Sequence, residues 1–493
     1  MSAKRRNRIY IIGAGFAGIS IAREIRGKEI LGEVVAFLDD KAEKIGTRID
    51  GVPVLGPIDA VAEIVDKTPG DEALIAIPSA GHEKLRRLYQ LLESAGFARI
   101  RILPAVSQII EGDAHFIQTR DLNPADLLGR NPVKIGLRES LRYLRGKRVV
   151  ITGAGGSIGS ELARQLLSGG AERLYLFGHG ENSIYEIDRE LRLLQEEGVG
   201  ERATIVPVIG DLQDRDYMHF ILERLKAHVI FHAAAYKHVP MVEANPVVAV
   251  ANNVMGTRNL VDAATAAGTE RFVLISTDKV VEPASIYGVS KKLAEEIVLA
   301  APGGDRGAYM VVRFGNVLGS RGSIVPLFQQ QIAKGGPVTI THPGAARYFM
   351  TIPEASSLVL KAGGVGDGGA LYVLDMGEPV RIQELAEQMI RFYGYEPHEE
   401  IEISYIGMRR GEKLTERLVG PGEEPVDTPY PRIKRIRRSR PPVPTLDELI
   451  ERLRPICRFE PERKELFRNR RILRETLADH FPSVKAVPDE PEY

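Results

Sequence analysis

Val149-Val-Ile-Thr-Gly-Ala-Gly-Gly-Ser-Ile-Gly159, followed by Glu161-Leu-Ala-Arg-Gln-Leu-Leu167, sets a buried β-run, a glycine turn and an amphipathic helix in immediate succession. That order opens a doubly wound α/β domain, in which glycines let the backbone turn sharply and approach a phosphate at the start of the helix. The chain opens it twice: Ile9-Tyr-Ile-Ile-Gly-Ala-Gly-Phe-Ala-Gly18 runs into an Ile/Ala/Arg-rich helix in the same way. Two successive doubly wound parallel-sheet domains are therefore expected.

Outward from the first opening come a strand ending at Asp39 and Asp40, a Gly/Pro-punctuated stretch from Gly46 to Pro57, and an apolar strand, Ala73–Ile77. Pro78 and Gly81 break that strand before a helix, and Ile100–Leu103 reads as a further strand, so residues 1–110 make one compact Rossmann-type domain. Mixed composition marks 111–146 as a connector. From Lys147 the alternation resumes, with strands at Arg173–Phe177, Thr204–Ile209, Val229–Phe231, Phe272–Ile275 and Met310–Arg313 separated by helical lengths. Such alternation implies a parallel sheet with helices on both faces, and a second Rossmann-type domain over 147–440. Its pattern loosens between Ser320 and Val419, where a smaller substrate-binding lobe is expected. Residues 441–493 read as peripheral helices.

With 493 residues, 44% of them apolar, the chain can bury two or three cores. A formal net charge of zero argues against a protein that coats nucleic acid or an anionic membrane, and favours small-molecule work. Cys457 is the single cysteine, so no intramolecular disulfide forms, nothing resembles a thiolate metal cage, and a reducing cytoplasm is the expected location. The polar, basic N-terminus and the apolar run behind it, cut by Gly13, Gly15 and Gly18, make neither a secretion signal nor a membrane span. No metal is assigned: the ten histidines lack a metal-binding helix pattern. The basic run Arg432–Arg440 is read first as a solvated, acid-paired face, with a weak peripheral membrane contact as the alternative.

In the first domain, Gly13-x-Gly-x-x-Gly18 suits a pyrophosphate, and Asp39, about twenty residues on, can hold a ribose. A scaffold that keeps its glycines for packing and binds another ligand, or none, stands equally open. The second turn has more behind it. Gly153, Gly156, Ser157, Ile158 and Gly159 belong to the phosphate turn, and His179 follows the second strand. Asp211 and Leu212 follow the third, where an acid can meet an adenine amine; Ala233 and Ala234 follow the next, where small residues let a cofactor lie against the sheet. Ser276 and Thr277 end a strand, and Tyr287-Gly-Val-Ser-Lys291 begins a helix. Residues four apart share a helical face, so the Lys291 ammonium can lower the phenol pKa of Tyr287 and make the phenolate a usable base.

This combination resembles the extended short-chain dehydrogenase/reductase superfamily, and further motifs narrow the match. Gly153-Ala-Gly-Gly-Ser-Ile-Gly-Ser-Glu161, Ala233-Ala-Ala-Tyr-Lys-His-Val-Pro240, Asn253-Val-x-Gly-Thr257, Ser276-Thr-Asp-Lys279, Arg313-Phe-Gly-Asn-Val-Leu-Gly-Ser-Arg-Gly322, Thr341-His-Pro343, Arg347-Tyr-Phe-Met-Thr-Ile-Pro353 and Leu374-Asp-Met-Gly-Glu-Pro379 are similar to the polysaccharide-biosynthesis 4,6-dehydratases that act on UDP-N-acetylglucosamine. Long members of that family carry an N-terminal Rossmann-like domain similar to residues 1–110, usually behind several transmembrane helices that are not found in this chain; a soluble member is expected.

The resemblance implies NAD or NADP, tightly bound and recycled each turnover, and a UDP-sugar substrate. It implies that Tyr287 takes the O4 proton, that Lys291 tunes it and holds the nicotinamide ribose, and that Thr277 hydrogen-bonds near the sugar. Asp278 is set at C6 and Lys279 at C5, or the reverse. Lys237, Asn316, Arg321, Arg347, Arg409 and Glu412 are the residues for the nucleotide, since guanidinium forks match phosphate oxygens. A homo-oligomer is the expected assembly. Two departures stand out. Gly178 takes the place where many relatives have an acid after the second strand, so nothing there repels a 2′-phosphate. Arg410 replaces a proline in the family's Arg-Pro-Gly-Glu-Lys turn.

Two rival readings use the same motifs. A nucleotide-sugar C4 or C5 epimerase shares the fold, cofactor and Tyr–Lys pair but leaves Asp278-Lys279 idle. A non-catalytic cofactor sensor leaves Tyr287 and Lys291 idle as well.

Overall fold

The computed structural model describes residues 8–27, 32–65, 71–77, 80, 82–97, 99–102, 120–121, 141–196, 198–200, 202–301, 307–366, 368–393, 395–439 and 445–491. The expected strand-breakers Pro78 and Gly81, residues 1–7, most of the expected connector 111–146 and Arg440 lie outside them. Two compact units emerge: residues 1–138 with 388–396, and residues 139–387 with 397–493.

In the first unit Arg8–Ile12 lies centrally, pairing in parallel with Glu33–Leu38 on one side and Glu72–Ile75 on the other, within a seven-stranded sheet. Alternation sorts its side chains. Tyr10 and Ile12 join Leu85, Leu88 and Leu92 of the helix His82–Ser94, whereas Ile9 and Ile11 join Ile21, Ala22 and Ile25 of the helix Phe16–Gly27.

Nine strands form the second unit's sheet, in the order Thr204–Ile209, Arg173–Gly178, Arg148–Thr152, Val229–His232, Arg271–Thr277, Ala308–Phe314, Ala370–Leu374, Ile433–Arg438, Glu423–Asp427. The first seven are parallel and the last two run antiparallel to their neighbours. From Arg148–Thr152 the chain moves outward through two strands, then returns to place Val229–His232 on the opposite side. That reversal opens a crevice at the carboxyl ends of Arg148–Thr152 and Val229–His232, where ligands of such sheets bind. Proline interrupts both outer strands, at Pro207 and Pro425.

Several expectations change here. Ala370–Leu374, inside the stretch read as a lobe, is a strand of the main sheet. The basic run is another strand, Ile433–Arg438, and its cations are paired: Arg432 with Glu354 at 2.8 Å, Lys434 with Asp427 at 2.5 Å, Arg437 with Glu424 at 3.2 Å and Arg438 with Glu296 at 2.6 Å. It is an acid-paired face. Nor are the C-terminal helices peripheral, because Leu449, Leu453, Leu473 and Leu477 join the core that Tyr287 belongs to. Among the described residues no helix is long and apolar enough to cross a membrane.

Beneath the sheet end lies a buried charge network. Arg313, fully inaccessible, donates to both oxygens of Glu295 at 3.2 and 2.9 Å, to both of Glu423 at 2.7 and 3.1 Å, and to the Leu418 carbonyl at 2.9 Å. Burial alone raises the Glu295 carboxyl, but Arg313, Lys292 and a hydrogen bond from Ser276 override it and pull the carboxyl down to about 2. A depressed carboxylate contributes stability that is present above its ordinary value of 4.5 and lost as pH falls toward about 2. Arg313→Ala strands two buried carboxylates, and a loss of about 3–5 kcal/mol is expected from breaking such a pair. Urea unfolding of the second unit reads that loss, which should shrink as the titration enters this acid window.

Candidate active site

Gly153 turns with φ of +66°, and a Cβ there would lie 2.8 Å from the backbone of Ala234. The turn is thus wound directly against the loop that leaves the neighbouring strand. Gly156, the N-cap of the helix Ser157–Ser168, is different: it is exposed, and a Cβ on it would approach only the Gly153 carbonyl, at 3.2 Å. Here the unpaired first-turn N–H groups of the helix, including those of Ser157 and Ile158, meet the crevice. Arg321 folds over this turn, its backbone N–H donating to Ser157 Oγ at 3.2 Å and its side chain to the Gly155 carbonyl at 3.3 Å and to Glu186 at 2.8 Å. It therefore stands at the glycine turn rather than among the groups around Tyr287. His179 is exposed, edge-on to Tyr236. Asp211 is exposed beside buried Leu212, with Oδ1 accepting from the Gln213 N–H at 2.9 Å.

Behind the turn His232 is buried between two hydroxyls, with Nδ1 2.7 Å from Thr152 Oγ1 and Nε2 2.9 Å from Thr257 Oγ1. Burial, reinforced by Lys291, holds it well below the ordinary imidazole value, so it is neutral and structural. Nearby, the π-helical turn Ala251–Met255 presents Asn253, which accepts from the Tyr236 N–H at 2.9 Å and donates to Ser290 Oγ at 3.0 Å. Ser290 in turn donates to the Tyr287 carbonyl at 2.8 Å, so the Ala233–Lys237 loop is tied to the tyrosine helix, Ile286–Ala300.

Thr277, Asp278, Lys279, Tyr287 and Asn316 come together at the end of the strand Arg271–Thr277. Asp278 is inaccessible; its Oδ1 accepts from Thr277 Oγ1 and from Lys279 Nζ, each at 3.0 Å, and its Oδ2 has no protein partner. Lys279 also donates to Asn316 Oδ1 at 3.1 Å and lies 3.8 Å from Glu416 Oε1. Burial opposes its charge, yet Asp278 and Glu416 outweigh burial and hold the ammonium above its ordinary value. Burial pushes the Tyr287 phenol up to about 12, with Lys279 and a hydrogen bond from Thr277 pulling the other way and Asp278 and Glu416 pushing further up. Among the charges that bear on the phenol, Lys279 is the cation. Lys291 lies one helical turn on, where its ammonium bears on His232; burial lowers it to about 8, and it makes no hydrogen bond among the described residues.

Arg347 does not project a free fork: it donates to the carbonyls of Ala346, Leu414 and Lys413 at 2.8–2.9 Å and so buttresses the Arg409–Lys413 turn. In that turn Arg409 lies 3.7 Å from Glu412, and Lys413 donates to the Val281 carbonyl at 2.6 Å. Lys237 reaches Ser320 Oγ at 3.5 Å, its ammonium lowered by partial burial. Glu416 was missed in the sequence. Its only local signal is a second acid four residues after Glu412; its Oε2 lies 3.6 Å from Lys413 Nζ, and like Glu412 Oε2 and Asp278 Oδ2 it is buried without a hydrogen bond among the described residues. Unpartnered buried carboxylate oxygens call for donors from a ligand. In the first unit, Asp39 accepts from the Ala14 N–H at 2.8 Å, the Lys41 N–H at 2.9 Å and Lys44 Nζ at 3.2 Å, so both oxygens serve the unit's own turn and its neighbours.

A glycine turn at a sheet crossover, with a buried Tyr-x-x-x-Lys helix across the crevice, defines an extended short-chain dehydrogenase/reductase. The chain belongs to the polysaccharide biosynthesis protein family, whose model matches residues 149–438; residues 1–104 match the CoA-binding domain family. It is 44% identical to a "Probable polysaccharide biosynthesis protein EpsC" of Bacillus subtilis, over 87% of this chain and 71% of that one. A solved structure, Pen from Bacillus thuringiensis, is 30% identical with a TM-score of 0.54, over 60% of this chain and 91% of that one. More distant similarity extends to an inverting UDP-N-acetylglucosamine 4,6-dehydratase of Campylobacter jejuni, 29% identical over 56% of this chain and 78% of that one, and to a UDP-glucose 4-epimerase of Rickettsia rickettsii, 32% identical over 56% and 79%.

The electrostatics of the cluster can be tested without substrate. Glu416→Gln removes a negative charge that raises the phenol, so the Tyr287 titration should move down from about 12, while Lys279→Met should move it up. NMR of ring-labelled tyrosine reads both; an unmoved Tyr287 signal in both variants contradicts the assigned geometry.

Proposed function

We propose that the protein is a nucleotide-sugar 4,6-dehydratase that uses NAD or NADP and converts UDP-N-acetylglucosamine to a UDP-4-keto-6-deoxy sugar. What supports this reading above all is the buried Asp278–Lys279 pair beside Tyr287, in which one carboxylate oxygen is left without a partner. A simple dehydrogenase has no use for two ionisable groups there. The residues present fit a dinucleotide: the glycine turn meets the crevice, Ala233 and Ala234 are small residues beside it, and the Lys291 ammonium makes no hydrogen bond among the described residues and suits a ribose hydroxyl. When bound, the nicotinamide supplies a reversible hydride acceptor, so that C4 is oxidised and the same hydride later returns to C6.

The chain's own residues then have distinct tasks. Tyr287 takes the O4 proton as C4 becomes a ketone, and that ketone acidifies the C5 hydrogen. Lys279, held as an ammonium by Asp278 and Glu416, favours the proton donor's place at the departing C6 hydroxyl, and Asp278 Oδ2 then accepts from C5. This is the second of the two assignments that the resemblance allows. Water leaves across C5 and C6, and no net redox change results. The Arg409–Lys413 turn, steadied by Arg347, grips the nucleotide, and the open position at Gly178 suits NADP as well as NAD.

Three outcomes are expected. Product mass from UDP-N-acetylglucosamine falls by one water; unchanged mass favours the epimerase reading. Tyr287→Phe gives neither cofactor reduction nor product, whereas Asp278→Asn and Lys279→Ala lose about 10²–10⁴-fold in turnover but still show reduced-cofactor absorbance. Of these two, the variant that fails to wash solvent deuterium into C5 has lost the base. Gly156→Val places a side chain in the phosphate path and abolishes activity, while Gly15→Val in the first unit leaves the chemistry intact.

A further inference from the structure

One buried carboxylate that the mechanism does not use joins the start of the tyrosine helix to the Arg409–Lys413 turn. Glu243 Oε1 accepts from the Ile286 N–H at 2.8 Å, the first amide of the helix that carries Tyr287. Glu243 Oε2 accepts from Arg474 Nη2 at 2.9 Å and lies 3.6 Å from Arg410 Nε. Both cations converge again on Glu490: its Oε1 lies 3.0 Å from Arg474 Nε, and its Oε2 accepts from Arg410 Nη1 at 2.8 Å, with Arg470 Nη2 donating to Oε1 at 3.0 Å. Arg474 is inaccessible and Glu490 only 4% exposed. The turn is pressed onto the same spot. A Cβ on Gly411, at φ +79°, would lie 2.8 Å from Ser285 Cβ and 3.3 Å from Glu243 Oε1, and Ser285 is the residue whose hydroxyl caps the tyrosine helix by accepting from the Gly288 N–H.

We propose that Arg474 and Glu490 are positioning residues of the active site, acting through Glu243 and Arg410 on the N-terminus of the tyrosine helix and on the Arg409–Lys413 turn. Alternating buried charges form a directional clamp, because Arg474 and Arg410 each bridge the same two carboxylates, Glu243 and Glu490, whereas apolar packing tolerates sliding. Arg410, which stands where the family's turn has proline, is the turn's own contribution to that clamp. The assignment rests on Tyr287 being the base and the turn being the nucleotide grip.

Full-length Arg474→Met, Arg474→Lys and Glu490→Gln, supplemented with NAD and NADP, are compared by amide hydrogen exchange and by steady-state dehydration of UDP-N-acetylglucosamine. Releasing the Glu243 cap from its anchor should speed exchange at Ile286–Gly288 about tenfold in Arg474→Met, and lower kcat by a similar factor with KM nearly kept. Glu490→Gln, which releases Arg410, should instead raise KM, and Arg474→Lys should recover part of the loss. If Arg474→Met fails to fold, Glu490→Gln, similar in size and shape, carries the same comparison at 408–414. Unchanged exchange in both segments overturns the proposal. So does acceleration matched in the strand Arg148–Thr152, which marks a general loss of stability. Exchange needs no turnover, so a wild-type protein that dehydrates nothing counts against the proposed function and leaves this result standing.

Discussion

Arg313 imposes the constraint on which the second unit depends: a guanidinium shut off from water has to be met by carboxylates, and Glu295 and Glu423 are the two that meet it. A buried charge left alone costs far more than any packing defect, so the strand, the tyrosine helix and the outer hairpin can come together in only one register. Ser276 donates to Glu295 at 2.6 Å and draws in the strand end that delivers Thr277, Asp278 and Lys279. The reacting groups therefore stand on a base whose geometry is set by charge before any ligand arrives.

Above that base the crevice is divided into two electrostatic regimes. On the glycine-turn side burial keeps His232 neutral and, against the pull of Glu295, brings Lys291 down to about 8, so hydrogen-bonding capacity is on offer there. On the other side Asp278 and Glu416 hold the Lys279 ammonium above its ordinary value, and the phenol of Tyr287 feels all three. Oxidation at a carbinol needs a base that can gain and lose a proton; elimination next to a ketone needs an acid and a base within one bond of each other. Both demands fall on the charged side, where Tyr287 stands with Asp278 and Lys279.

What could be read in the sequence was whatever is encoded locally. The paired strand–glycine–helix openings, the strand-end residues and the Tyr-x-x-x-Lys spacing announce themselves within a few residues, and the parallel sheet follows from their alternation. Side-chain direction does not: the spacing puts Lys291 on the face of Tyr287, but nothing in it announces that Lys279, eight positions before the tyrosine, also bears on the phenol. Groups brought in over long range were also hidden. Glu416, Arg474 and Glu490 belong to no short motif, and Arg321 was placed with the nucleotide of the substrate because its contact with Ser157 spans 164 residues. Charge composition was right that Arg432–Arg438 pairs with acids but silent on its being a strand whose acids sit on neighbouring elements.

Pro207 and Pro425 give the nine-stranded sheet a property unrelated to its chemistry. Each lies within an outermost strand, where a missing backbone N–H interrupts the row of donors that another chain could join. The hairpin edge also carries the ion pairs Arg437–Glu424 and Lys434–Asp427, so an approaching strand meets charged side chains as well as a gap in the ladder. A large, strongly apolar parallel sheet is thereby kept from growing by edge-to-edge addition, which guards a chain of this size against aggregation while it folds.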